Sequence, residues 1–464
     1  MKNLTPKNIA TAVNGKLITP ENYDAAFLDT EISGVCTDNR KINKGELFIP
    51  IKGERVDAHD FIPKAFEDGA ALTLSDRELQ VDLPYILVED TKKALRDLAA
   101  YYREQLTIPV IGIIGSVGKT STKEMTASVL SQHFNVLKTE GNFNNDIGLP
   151  LTLFRIRDEH EVAVCEMGIS DFGEMSLLGS IAKPNMVIMT NIGECHLENL
   201  GDRDGVLKAK TEVFDFLKTP ATIILNGDDD KLSTVHDVPG AKIMFYGIGK
   251  DSKLSVRAKE TEPLGMDGVR AVIDTEKGYF NAEIPIPGIH TVYNAMAATC
   301  AGLALGMDLA EIETGIENVK TIDGRSNFIK KNGITVIDDC YNANPRSMRA
   351  SLEVLSRAKG RKIAVLGDMG ELGANEKELH HTVGEAASEN RIDLVLLSGP
   401  LSKEIEKGVR DSDLLLGRDT DVRHFETKQE LIDEIIKERK EGDTILVKAS
   451  HFMEYGEIVS ALVG

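Results

Sequence analysis

Lys119 follows glycines at 112, 115 and 118 and precedes two hydroxyls, Thr120 and Ser121. Glycines let backbone amides turn inward around phosphate oxygens, and a helix start adds partial positive charge. A lysine placed there reaches the β- and γ-phosphates, and the next hydroxyl holds Mg2+. The run Gly115, Ser116, Val117, Gly118, Lys119, Thr120 and Ser121 therefore reads as the phosphate loop of an ATP or GTP site. The common spacing G-x-x-x-x-G-K-[ST] places a glycine where this chain has Ile113, but the core G-x-x-G-K-T is intact. A turn that merely packs closely would need neither the lysine nor the hydroxyls.

Ligands of open parallel sheets gather beyond the carboxyl ends of strands. The apolar run from Val162 to Cys165 ends at Glu166, and the run from Met186 to Thr190 leads through Asn191 to His196. If both flank the phosphate-loop strand, Glu166 and His196 point at the γ-phosphate, where a carboxylate and a neutral imidazole suit a divalent metal. Taken singly, Glu166 is equally a charge near a helix start, and His196 a surface or structural histidine. Asn142, Asn144 and Asn145 lie in a polar, turn-rich loop. They are either turn residues in left-handed positions or amides offered to a substrate. Lys208 and Lys210 fall in a helical pattern and read as a solvated face. The glycines from Gly367 to Gly373 are spaced three apart and do not make the dinucleotide fingerprint.

These residues need a scaffold. Short apolar runs at Val110 to Ile114, Val162 to Cys165, Met186 to Thr190 and Thr222 to Leu225 predict a parallel sheet buried on both faces. Helical patterns cover Thr91 to Glu104 and Thr291 to Leu305. The alternation restarts with strands at Thr335 to Ile337, Ile363 to Leu366, Leu394 to Leu397 and Thr444 to Val447, and a helix from Pro345 to Ala358. Before residue 88 the β-like runs are short, Glu46 to Ile51 and Tyr85 to Val88. The expected fold class is α/β in three domains: a small α/β domain over 1–87, a central P-loop domain with a parallel sheet over 88–322, and a second α/β domain over 323–464. At about 150 residues per domain, the 464-residue length agrees.

Composition narrows the function. A formal charge of −20 opposes binding to phosphate backbones or anionic lipid. No run is long and apolar enough for a membrane span or a signal peptide. Cys36, Cys165, Cys195, Cys300 and Cys340 are odd in number and scattered, which predicts reduced thiols and a cytoplasmic location rather than disulfides or a zinc site.

Together the motifs resemble the Mur ligases, the ATP-dependent amino-acid ligases of peptidoglycan synthesis. The resemblance spans nearly the whole chain: the phosphate loop, Glu166 to Gly168, His196, Ala209 to Glu212, Gly288 to Ala295, Gly324 and Arg325, Asp338 to Pro345, and Lys448 to Ser450. Thr122 to Met125, Asp339 to Pro345, Thr37 to Ile42 and Ile51 to Asp60 are most similar to the branch that adds D-Ala-D-Ala to UDP-N-acetylmuramoyl-tripeptide.

The resemblance implies a first domain that holds the uridine nucleotide through Thr37, Arg40, Lys41, Lys52 and Gly53, and a C-terminal Rossmann-like domain that closes over ATP. It implies one Mg2+ on Thr120 and Glu166, and a second attended by His196 and a Lys210 carbamylated by CO2. Asn294 and His290 fall at the adenine. Arg325 and Asp339 serve ATP from the third domain, with Tyr341 and Asn342 nearby, while Asn142, Asn144 and Asn145 line the muramoyl side. The catalytic set is then Lys119, Glu166, His196 and Lys210, in a monomer without nucleic-acid partners. Another Mur ligase, a folylpolyglutamate-synthetase-like ligase and a P-loop regulatory NTPase are the rival readings. The third residue of the tripeptide, lysine or diaminopimelate, is written in none of these stretches.

Overall fold

The computed structural model describes residues 1–21, 25–249, 253–321 and 324–464. The expected division at 322/323 lies outside the described residues. Three sheets follow one another along the chain. The first runs Lys16–Ile18, Tyr85–Leu87, Leu72–Ser75, Leu47–Phe48 and Val35–Cys36 across its width, parallel except for the first pair. The expected division at 87/88 falls between its strand Tyr85–Leu87 and the helix Thr91–Glu104. Asp90 caps that helix by accepting from the amides of Lys92 and Lys93. Its buried stripe of Ala94, Leu95, Leu98, Ala99 and Tyr102 joins the first unit to the central one.

The central sheet has nine strands. From one edge they are Val136–Lys138, Val162–Glu166, Val110–Ile114, Met186–Met189, Ala221–Asn226, Ala241–Gly247, Leu254–Pro263, Val269–Thr275 and Gly278–Ile284. The first seven are mutually parallel, and the last two fold back as antiparallel hairpins. The phosphate-loop strand Val110–Ile114 lies between Val162–Glu166 and Met186–Met189, with Ile113 opposite Glu166 and Ile114 opposite Met189. That register brings the two candidate strand ends to either side of the loop. The sheet's far edge was not read from the sequence. Its strands alternate, burying Val256 and Ala258, then Val269, Ala271 and Ile273, then Phe280, Ala282 and Ile284, so only one face is apolar. The helix Ile289–Ala304 covers that face.

The third sheet has the order Asn327–Lys331, Ile334–Asp338, Thr444–Lys448, Lys362–Gly367, Leu394–Ser398 and Asp421–Phe425. One antiparallel hairpin leads into five parallel strands packed on both faces. The five cysteines are free. Among the described residues no helix is long and apolar enough to cross a membrane.

Candidate active site

The phosphate loop is shaped by two glycines and held by the neighbouring strand end. Gly118, at φ +83°, starts the helix Lys119–Leu130. Gly115, at φ +150°, runs so close to Thr190 that a Cβ there would lie 1.9 Å from its Oγ1. Thr190 Oγ1 donates to Val117 O at 2.6 Å. The Asn191 side chain takes both backbone groups of Val117, accepting from its N at 3.1 Å and donating to its O at 2.9 Å. Asn191 O accepts from Ser116 N at 3.0 Å, and Ser116 Oγ accepts from Gly193 N at 2.9 Å. Lys119 Nζ donates to Gly115 O at 2.9 Å. Burial pushes its ammonium pKa down, and the Glu166 carboxylate opposes that shift.

Glu166 ends its strand 1% exposed. Its Oε1 accepts from Asn144 Nδ2 at 2.9 Å, while its Oε2 is buried without a hydrogen-bond partner. An orphaned carboxylate oxygen is costly unless a cation completes it, so this atom fits a divalent metal. Among the described residues no group of three or more His, Cys, Asp or Glu side chains is placed to hold a metal ion. Most ligands of such an ion must then be phosphate oxygens, water and hydroxyls, the habit of Mg2+. Thr120, the second residue of the helix Lys119–Leu130, is 6% exposed and carries a hydroxyl next to Lys119, though it does not itself line the cleft between the central and third units.

His196 stands at φ +53° before the turn Leu197–Leu200. Glu371 of the third unit brings Oε2 within 2.6 Å of its Nδ1, in contact distance but off hydrogen-bond alignment. Lys210 lies 1% exposed on the helix Arg203–Thr211, beside Val206 and Ala209. It pairs with no carboxylate among the described residues, and burial lowers its amine to about 8. Lys208 points the other way, 5.8 Å from the Phe172 ring centre on the surface. The shared helical face expected for these two lysines is therefore corrected: one is solvated and one is core.

The third unit supplies the opposite wall of a cleft of about 760 Å³, which Lys119, Asn144, Asn145, Glu166, His196, His290, Asn294, Arg325, Asp339, Tyr341 and Asn342 all line. The Arg325 guanidinium stacks 3.9 Å from the Tyr341 ring centre, which fixes its direction. Asp339 is occupied by its own unit. Its Oδ2 accepts from Lys448 Nζ at 2.6 Å and Ser351 Oγ at 2.6 Å, and its Oδ1 from Ser326 N at 3.0 Å. These bonds hold the segment bearing Arg325. His290 is half-buried at the seam, its pKa lowered by desolvation. Asn294 Oδ1 accepts from Thr122 Oγ1 at 2.9 Å.

Other expected residues stand elsewhere. Asn145 Oδ1 accepts from Ile147 N and Gly148 N, a turn use at the cleft rim, and Asn142 is exposed outside the lining. Thr37, Arg40, Lys41, Lys52 and Gly53 belong to the first unit and do not line the cleft. Arg40 is paired with Asp38 at 2.8 Å. Sequence reasoning passed over Asn191 and Lys448 as site residues, although both line the cleft. Asn191 and Lys448 both sit at carboxyl ends of parallel strands, the signal that selected Glu166.

Comparisons with known proteins agree along the chain. Family profiles match as "Mur ligase family, catalytic domain" over residues 31–103, "Mur ligase middle domain" over 113–302 and "Mur ligase, glutamate ligase domain" over 324–451. The UDP-N-acetylmuramoyl-tripeptide–D-alanyl-D-alanine ligase of Bacillus subtilis is 38% identical, with 99% of this chain and 98% of that one covered. A crystal structure of MurF from Acinetobacter baumannii superposes at TM-score 0.88 with 34% identity, covering 99% and 98% of the two chains. MurF from Thermotoga maritima in complex with ADP superposes at TM-score 0.79 with 28% identity over 92% and 96%. With the phosphate loop, the orphaned carboxylate and the Arg325 wall in one cleft, and these likenesses running end to end, the chain belongs to the Mur ligase family.

Proposed function

We propose that the protein joins D-Ala-D-Ala to UDP-N-acetylmuramoyl-tripeptide, using ATP and Mg2+, in the cytoplasm and as a monomer. The observation that carries this reading is the convergence of Lys119, the free Oε2 of Glu166 and Arg325 on one cleft, in a chain that aligns over nearly its full length with ligases of that name.

Making an amide from a carboxylate in water requires an activated acyl group. The peptide carboxylate attacks the γ-phosphorus of ATP, ADP leaves, and an acyl phosphate forms. The free amine of the dipeptide adds to the acyl carbon and loses its proton, and phosphate departs. Phosphoryl transfer of this kind is catalysed mostly by positioning and charge neutralisation. The loop amides and Lys119 cradle the phosphates from one side, and Arg325, aimed by Tyr341, approaches from the other. Thr120 and Glu166 would hold one Mg2+, with His196 and Lys210 near a second. Bound there, the metal neutralises phosphate charge.

A lysine amine near 8 is about one-tenth neutral at pH 7, a neutral fraction some hundreds of times that of an ordinary lysine, and so better able to add CO2, which would exchange a cation for a carboxylate beside the metal. Thr37, Arg40, Lys41, Lys52 and Gly53 would take the uridine nucleotide. Asn142, Asn144 and Asn145 would line the muramoyl side, with Tyr341 and Asn342 at the acyl end and His290 and Asn294 near the adenine.

The test is direct. Purified protein with ATP, Mg2+, D-Ala-D-Ala and UDP-N-acetylmuramoyl-tripeptide, carrying lysine or diaminopimelate in separate reactions, should yield a pentapeptide by mass spectrometry. No pentapeptide from either tripeptide under saturating conditions would falsify the assignment.

A further inference from the structure

Arg346 occupies the first turn of the helix Pro345–Ser356, a start fixed by Asn344, whose Oδ1 accepts from Ser347 N. Its side chain is half exposed, and Nη1 lies 3.5 Å from Asp229 Oδ2 of the central unit. Asp229 is 1% exposed at its side chain and already committed locally. Its Oδ2 accepts from Ile192 N at 3.0 Å, and its Oδ1 from Lys231 N and Leu232 N at 3.1 Å each. Ile192 stands between Asn191 and Gly193, the two residues that grip Val117 and Ser116 of the phosphate loop. A third-unit cation thus touches the carboxylate that anchors the loop's clamp.

The second charged contact at this seam has the opposite polarity, since the third unit offers Glu371 to His196. A slide that exchanged the partners would set Glu371 against Asp229 and Arg346 against the imidazole. Crossed polarity of this kind favours one docking register over its neighbours.

We infer that Arg346 is a positioning residue for the ligation: its docking on Asp229 seats the third unit so that Arg325 and Tyr341 face Lys119. The inference rests on the ligase reading, because seating matters to rate only if the third unit acts on ATP in that cleft.

Arg346→Ala, Arg346→Lys and Arg346→Glu test it in the full-length protein. A half-exposed ion pair is worth a factor of about five, so Arg346→Ala should lower kcat about fivefold. Arg346→Glu, which faces Asp229 with a like charge, should lower it further, and Arg346→Lys should restore at least half the wild-type value. ADP affinity by calorimetry should stay within about twofold, because the loop itself is intact. With a non-hydrolysable ATP analogue bound, small-angle scattering should give Arg346→Glu a larger radius of gyration than wild type. A wild-type kcat in Arg346→Glu overturns the inference. So does a lost kcat accompanied by weakened ADP binding and an unchanged radius, which would make Arg346 a nucleotide contact. If the wild-type protein makes no pentapeptide, the ligase reading fails separately, and the scattering comparison still decides whether Arg346 docks the unit.

Discussion

Residues at the site differ in how openly the sequence displays them. Lys119 was legible from the spacing of the glycines before it and the hydroxyls after it, and Glu166 because it sits where a parallel strand ends, visible as the close of an apolar run. Lys210 was not. Nothing in residue types separates it from Lys208; what separates them is the helical stripe of Val206, Ala209 and Lys210 that turns inward.

Two predictions belong to this scale. Lys119→Ala should lower kcat by at least about a hundredfold, the loss expected when a charge-stabilising donor is removed, while the circular dichroism spectrum is retained. Turnover within a factor of a few of wild type would refute the lysine's role. Lys210 also makes a pH prediction. Its folded amine is held at about 8 against an ordinary 10.5, so between those values the unfolded chain keeps a proton the folded chain has released. Stability from this group therefore rises with pH across that window and is lowest below it. In CO2-free buffer, Lys210→Met should flatten the rise of melting temperature from pH 8 to 10, and parallel profiles for the two proteins would contradict the burial argument. Added bicarbonate should raise wild-type activity at limiting CO2 and leave Lys210→Met unchanged.

Among elements, the fully buried parallel strands announced themselves as continuous apolar runs, and the structure extends most of them by a residue or so. Leu254–Pro263, Val269–Thr275 and Gly278–Ile284 escaped notice because a strand with one wet face alternates and never forms such a run. The join between the phosphate loop and its neighbour is the element on which most depends. Gly115→Ala must move Thr190 away from Val117 or distort the loop, since the added carbon would meet Oγ1 at 1.9 Å. At a positive φ the substitution should cost about 1–3 kcal/mol, read as a lower melting temperature, and should weaken ADP binding. Unchanged values of both would mean the loop relaxes freely. The spacing of the three glycines, which departs from the common pattern at Ile113, is thus matched by a clamp rather than by a looser turn.

For the whole molecule, domain count and core count need not agree. One apolar core runs from Leu4 through Tyr102 into Val110, Ile114 and Leu232, joining the first unit to the central one. The third sheet has its own apolar clusters on its two faces. Calorimetry should accordingly resolve two unfolding transitions, with ADP raising the one that contains the phosphate loop. A third independent transition would show that the first unit's core is separable after all. The three-part alternation of elements was readable in the sequence, and so was the apolar face of the helix Thr91–Glu104, but the unequal sharing of cores was not, because it depends on what that face packs against.

Among the described residues, two charged contacts, Arg346 with Asp229 and Glu371 with His196, cross the seam between the central and third units, beside the Met266 side chain packed on the third sheet's core. The chain passes only once from the helix Leu309–Glu317 to the strand Asn327–Lys331. A tether that short keeps the two surfaces at an effective concentration on the order of millimolar. At that concentration a contact too feeble to join separate molecules is enough to bias an intramolecular encounter. The cleft can then shut on its substrates and release its product without a tight interface having to be broken at every turnover.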